Sequence, residues 1–231
     1  EIKSVPHEKI VKNINPYLVE GNDLVIEKRA KSLCKVNPIK YGSIAIDNGF
    51  LILNEDEKID LIKREPLSEK YIFTYGGGAE FIKNIKRYCL WLKDLNPNEL
   101  KLMPIVKEKI DSVRDFRFSS DREATKKLAE YPTLFGEDRQ PKNNYILIPK
   151  VSSETRQYIP LGFLNKSHIA NGSSMIVENA TLFEFGILTS IMHMAWIKYT
   201  CGRMKSDYQY SNTIVYNNYP FPKNVSEKQK K

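Results

Sequence analysis

A chain of 231 residues with 41% hydrophobic and 11% aromatic content is long enough to bury a core, as one large domain or two small ones, and too apolar to be disordered. Its formal charge of +8 favours a polyanionic partner, with nucleic acid first among them. Cys34, Cys89 and Cys201 are scattered and odd in number, which argues for reduced thiols in a cytosol and against a disulfide framework. His7, His168 and His193 are not spaced as metal ligands.

The segment from Glu1 to Ile39 is basic, broken by Pro6, Pro16 and Pro38, and reads as a connector. It opens on Glu1 rather than Met and without a signal peptide, which suggests a piece of a larger protein. Ser43 to Leu53 is a β-like run interrupted at Asp47-Asn48-Gly49, a hairpin-type turn signal. Asp56-Glu57-Lys58 has the outline of an acidic-x-Lys nuclease element but sits in an acidic surface run, and reads as a solvated loop. Gly76-Gly77-Gly78 lacks dinucleotide or Walker spacing, has no clear strand before it, and reads as a turn. The spacing of Phe81, Ile82, Ile85, Tyr88, Cys89, Trp91 and Leu92 predicts a helix over Ala79 to Lys93. Further helices are expected over Ile105 to Phe116 and, after the cap signal Ser119-Ser120-Asp121, over Arg122 to Tyr131. From Tyr145 the pattern turns to short β-type runs: Tyr145 to Ile148, Tyr158 to Phe163 and Met175 to Val177. Phe183 to Tyr199 reads as one buried helix, with His193 a packed core histidine and Trp196 core support. Glu184, His193 and Lys198 interrupt this stretch, so it does not span a membrane. Thr213 to Tyr216 is expected to continue the Tyr208 strand, and Lys223 to Lys231 to fray as a charged tail. The fold class is α+β: a mostly antiparallel sheet with several covering helices.

Chemistry concentrates near the C-terminus. Lys205, Asp207 and Gln209 alternate with Ser206, Tyr208 and Tyr210, and in an extended strand the first three share one face. A cation, an anion and an amide are the side-chain types that read base edges in a major groove; the bland alternative is a solvated strand face. Two further clusters, Arg114 to Ser120 and Lys150 to Arg156, interleave arginines with hydroxyls. Ser152, Ser153, Thr155 and Arg156, with Arg117 and Arg203 beside polar turns, have donors suited to phosphate oxygens. Equally, Arg114, Arg117, Arg156 and Glu154 could form ion pairs that brace the fold. No nucleophile elbow, paired helical carboxylates or kinase signature is present. Asn15-Pro16-Tyr17 lacks the second proline of the Asn-Pro-Pro-Tyr tetrapeptide of amino-methyltransferases, so no stacked adenine is assigned there.

Several segments in order are INPYLVEG with VIEKRAKSLC, EFIKNIKRYCLWL, VRDFRFSS, YILIPKVSSETRQYIPLGFL, and FGILTSIMHMAWIKYTCGRMKSDYQYSNTIVYNNYPFP. Together they resemble the target-recognition region of the MmeI-like restriction-modification enzymes, single-chain fusions of a nuclease, a γ-class adenine-N6 methyltransferase and a target-recognition domain. The resemblance implies base-reading positions at Lys205, Asp207 and Gln209, at Lys150, and at about Gly172 and Ser173. Lys205 would donate to guanine O6/N7 while Asp207 accepts from the N4 amine of its paired cytosine, with adenine the natural partner of Gln209. The alternative is a surface ion pair between Lys205 and Asp207. The resemblance further implies residues 1–40 as a connector from a preceding methyltransferase domain, 41–222 as the recognition domain and 223–231 as a tail. Nuclease and methyltransferase portions would lie before Glu1. The fragment would then carry no catalytic residue and no cofactor or metal of its own, with S-adenosylmethionine and Mg2+ expected for the full-length parent. The expected partners are double-stranded DNA and the parent's own methyltransferase and nuclease domains, in the bacterial cytoplasm and away from membranes. The competing classes are a free-standing nuclease or methyltransferase, and a structural or protein-interaction module.

Overall fold

The computed structural model describes residues 8–15, 18, 20–23, 25–223 and 225–226. Pro16 and Tyr17 of the near-tetrapeptide, and most of the tail from 223 to 231, lie outside the described residues.

Strand β1 (Ile39–Tyr41) leads to the turn at Asp47-Asn48-Gly49, where Asn48 and Gly49 take φ of 51° and 84° and the Asp47 carboxylate accepts from the Leu51 N–H at 2.8 Å. β2 (Ile52–Leu53) follows. The acidic run expected as a loop is instead the first turn of α1 (Glu55–Arg64). Asn54 and Glu57 close a reciprocal capping box, and carboxylates in a first turn complement the helix dipole. β3 (Ile72–Gly76) is a strand that runs into the glycine trio and ends on its first residue, which the sequence did not signal.

The helix expected over Ala79 to Lys93 is divided. α2 (Gly78–Lys83) stops at Asn84, whose φ of 51° is a left-handed cap, and β4 (Tyr88–Leu90) then inserts between β2 and β3. Its ladder bonds satisfy a buried backbone, which outweighs the helical spacing of its side chains. α3 (Pro97–Leu100) and α4 (Pro104–Phe118) follow, then α5 (Glu123–Lys127), which runs on into a 3-10 turn at Leu128–Glu130.

β5 (Tyr145–Pro149), β6 (Val151–Ser152), β7 (Gly162–Leu164), β8 (His168–Ala170) and β9 (Ser174–Glu178) follow as a run of strands. The single helix expected from Phe183 is two. α6 (Leu182–Leu188) ends at Thr189, and Ser190 caps a fresh start for α7 (Ile191–Thr200) by accepting from the His193 N–H. β10 (Gly202–Met204) and β11 (Asp207–Gln209) form a hairpin. Asn212–Tyr216 is a π-helical turn rather than a continuation of β11, and the Trp196 indole donates to the Val215 carbonyl at 2.9 Å.

Three sheets result, ordered β1-β9-β5-β7, β10-β11-β6 and β2-β4-β3-β8, all antiparallel except for the β3–β8 pair. This is the α+β, mostly antiparallel architecture expected. β5 is buried at every residue because both faces are covered. Ile146 and Ile148 pack with Met175, Val177, Met194 and Tyr216, while Tyr145 and Leu147 pack on the other face with Ala170 and Phe81. A separate core joins Leu51, Leu53 and Leu90 to Val106, Ile110 and Val113 of α4.

Arg117, expected at phosphate, is wholly buried on α4, in line with Val106, Ile110 and Val113. Its Nε donates to the Ile46 carbonyl, Nη1 to Leu128 and Tyr131, and Nη2 to Ala45 and Leu134, at 2.7–3.0 Å. All five guanidinium donors are used on backbone carbonyls, and the nearby Asp47 carboxylate supports the cation. The residue cannot reach solvent, let alone DNA. Arg117→Lys keeps the charge but offers three donors, so at least two buried carbonyls lose their partner. The expected loss is about 2–4 kcal/mol of stability by denaturant unfolding; an unchanged midpoint would contradict this role.

His193 is a core histidine, its Nε2 3.0 Å from the Tyr210 hydroxyl and its ring edge-on to Tyr219. Burial pushes its pKa down to about 4, so the folded state holds the neutral ring. Its contribution is therefore complete above the unfolded-state value of about 6.5 and is lost as pH falls towards 4. His168, also lowered by burial, acts in the same direction. His193→Gln should flatten part of the stability decline between pH 6.5 and 4; an unaltered acid limb would show that His193 is already protonated or exposed.

Candidate nucleic-acid interface

One residue joins two sheets. Lys150 lies between β5 and β6; its N–H donates to the Ser173 carbonyl at 3.1 Å and its carbonyl accepts from the Tyr210 N–H at 2.8 Å. The β10–β11 hairpin, the Asn171–Ser173 loop and the start of β6 are thereby held around one point. They enclose an open groove of about 600 Å³, lined among others by Lys150, Ser153, Arg156, Gly172, Ser173 and Asp207. Three segments distant in sequence thus converge, and several of the expected contact residues come together.

The hairpin departs from the expected strand. Met204 pairs with Asp207, so Lys205 and Ser206 form a two-residue turn, and Lys205 takes φ of 58°. Lys205 therefore does not share a strand face with Asp207; it stands at the tip. A positive φ at the first turn residue suits the twist of a tight hairpin but is a position glycine fills more readily. Asp207 and Gln209 do share a face, opposite Met204 and Gly202. Asp207 faces the groove and its Oδ1 accepts from the Glu154 N–H at 3.3 Å; Gln209 lies beyond the groove lining.

The other hairpin face carries Tyr208, buried in the core, and Arg203, whose guanidinium sits 4.0 Å over the Tyr208 ring and donates to the Ser206 carbonyl. Arg203, expected at DNA phosphate, is thus on the face opposite Asp207, where it braces the hairpin. Arg203 nonetheless stays exposed, whereas Ser152 is corrected: it pairs with Tyr208, and its hydroxyl is enclosed in the fold. Ser153, half-buried, and Thr155, exposed, are joined hydroxyl to hydroxyl at 3.0 Å, and Arg156 closes the same turn by donating its N–H to the Ser153 carbonyl. The alternative reading as ion pairs is not met at these positions: neither Arg156 with Glu154 nor Lys205 with Asp207 is paired. Among the described residues, Lys83, Lys150, Arg156, Arg203 and Lys205 are free of carboxylate partners. The Lys150 ammonium instead lies 5.7 Å over the Tyr41 ring, which steadies it without neutralising it.

The sequence did not reveal the remaining wall. Ala79, Ile82 and Lys83 of α2 line the groove across from the hairpin. The glycine trio places them there. A Cβ on Gly77 would meet the Asn171 Oδ1 at 2.0 Å, and one on Gly78 the Pro149 Cβ at 2.9 Å. That Asn171 oxygen accepts from both the N–H and the hydroxyl of Ser173, at 2.9 and 2.6 Å, so the start of α2 and the Asn171–Ser173 loop share one packing unit. Three consecutive glycines before a helix were the available signal; their partner, more than ninety residues away, was not.

No group of three or more His, Cys, Asp or Glu side chains among the described residues is arranged to hold a metal ion, and no helix among them is long and apolar enough to cross a membrane. The groove offers cationic donors, a carboxylate acceptor and exposed hydroxyls, which is the chemistry of hydrogen-bonded recognition.

This fold and groove define a recognition module. A family model described as "MmeI, target recognition domain" matches residues 20–223, and the chain belongs to that family. DNA methyltransferase A of Bacillus subtilis (strain 168) is 35% identical over 215 residues, covering 93% of this chain and 24% of that protein. The solved structure of the Type IIL restriction-modification enzyme MmeI in complex with DNA matches with a TM-score of 0.91 and 39% identity, over 95% of this chain and 29% of that one. The chain spans about a quarter of the length of these relatives.

If the left-handed backbone at Lys205 is held for its side chain and not for the turn, Lys205→Gly should leave stability unchanged or raise it by up to about 1 kcal/mol. Thermal unfolding checks this; a clear loss of stability would make Lys205 a structural residue.

Proposed function

We propose that this chain selects the DNA sequence on which a larger modification or restriction-modification protein acts. The observation that carries this reading is the convergence of Lys150, Arg156, Ser173 and Asp207 from separate segments into one groove with unpaired cations. The family, and relatives that include a DNA methyltransferase and an enzyme in complex with DNA, support it. In this reading Arg156, Ser153 and Thr155 hold phosphates and fix the register of the duplex. Lys205, from the hairpin tip, donates to guanine O6/N7, and Asp207 accepts from the N4 amine of the paired cytosine. Gln209 contacts a neighbouring pair, while Lys150 and the Gly172-Ser173 loop reach further base edges. Discrimination at each such pair is worth about 1–3 kcal/mol.

The remaining three quarters of the relatives' length would carry the chemistry, so S-adenosylmethionine and Mg2+ belong to that portion, and the larger protein acts in the bacterial cytoplasm. The segment before residue 41 would connect the two. Arg29 and Leu33 donate their N–H groups to the Thr213 and Asn217 carbonyls, which fixes this connector against the fold.

Binding of fluorescent duplexes tests the proposal. Affinity should fall with salt at a log–log slope of about −0.9 per phosphate neutralised. Arg156→Ala should weaken all sequences about equally and make the slope shallower by about one phosphate. Affinity that stays flat between low and physiological salt would favour a protein-interaction module instead.

A further inference from the structure

Besides Val151 of β6, three apolar side chains stand among the polar groups of the groove: Ala79 and Ile82 of α2, and Met204 of β10. None of them belongs to the three hydrophobic cores or packs against one. Met204 is 48% exposed. Single apolar residues on a surface need no explanation. Here they come from two elements, one held by the glycine trio and one by the hairpin, and they line the same groove as Asp207.

Register sharpens the point. Met204 and Asp207 are directly opposed across the hairpin, and opposed side chains on one face begin about 5 Å apart. On the major-groove edge of a pyrimidine the C4 substituent and the C5 position are on neighbouring ring atoms. A carboxylate addressing one therefore has an apolar surface beside the other. Thymine carries a methyl at C5, and apolar side chains recognise it.

We propose that Met204, Ile82 and Ala79 form a notch that takes the C5 methyl group of a pyrimidine in the base-pair steps contacted by this hairpin. The inference rests on the reading of Asp207 as a base contact. The methyl has two sources: a thymine in the neighbouring pair, or 5-methylcytosine at the pair read by Asp207.

The test uses the 231-residue chain and the duplex it enriches from a randomised library. Each thymine in that duplex is replaced in turn by deoxyuridine, which removes only the methyl, and each cytosine by 5-methylcytosine, which adds one. A thymine source gives about four-fold weaker binding at one deoxyuridine position; a cytosine source gives about four-fold tighter binding at one 5-methylcytosine position, the worth of one buried methyl. Ile82→Ala and Met204→Ala should each reduce that effect while leaving the preference contributed by Asp207 in place. If neither replacement changes affinity at any position, while Asp207→Ala still alters the selected sequence, the notch is refuted and base reading stands. If Asp207→Ala leaves the selected sequence unchanged, or if no sequence is enriched, the underlying reading fails and the notch with it.

Discussion

The backbone of Lys150 is the constraint on which the groove depends. Just past strand β5, this one residue donates its N–H to the Ser173 carbonyl and accepts at its own carbonyl from the Tyr210 N–H. It ties a strand that is buried at every residue to a small sheet that is exposed at its hairpin end. The buried strands are rigid because Ile146, Ile148, Tyr145 and Leu147 fill two packing layers at once. Groups positioned by that rigid layer can present their side chains at a fixed register to a partner that is itself regular.

The other wall obeys a steric rule. α2 approaches the Asn171–Ser173 loop more closely than any side chain at Gly77 would allow. Behind it the α4 lobe is ordered by Arg117, which gathers carbonyls from the segments around Ile46, Leu128 and Leu134. A guanidinium serves here because its five donors can satisfy backbone groups that no regular element reaches. The same residue type has a different role at Arg203, stacked on Tyr208, and at Arg156, exposed at the groove. Burial and partners assign these roles; residue type alone does not.

Much of the fold was legible in the chain. The runs that became β5, β9 and α4 carry uninterrupted or helically spaced apolar residues, and the turn at Asp47-Asn48-Gly49 has the residues its geometry needs. The family resemblance rested on long ordered motifs and holds. What was not legible depends on partners distant in sequence. Tyr88 to Leu90 has helical spacing but pairs with strands on both sides. Lys205 to Gln209 alternates like a strand, yet Met204–Asp207 pairing makes Lys205 a turn residue. Arg117 continues the buried row of Val106, Ile110 and Val113, a spacing that could have exposed it as a core residue had its charge not suggested otherwise.

The central claim is that the hairpin reads bases through Lys205 and Asp207. The most direct measurement is the sequence that the chain enriches from a randomised duplex library, compared between wild type and the double variant Lys205→Glu, Asp207→Arg. Exchanging the two signs of charge should change one position of the selected sequence from G to C and leave the others as they were. Enrichment of an unchanged sequence by the double variant would contradict the account.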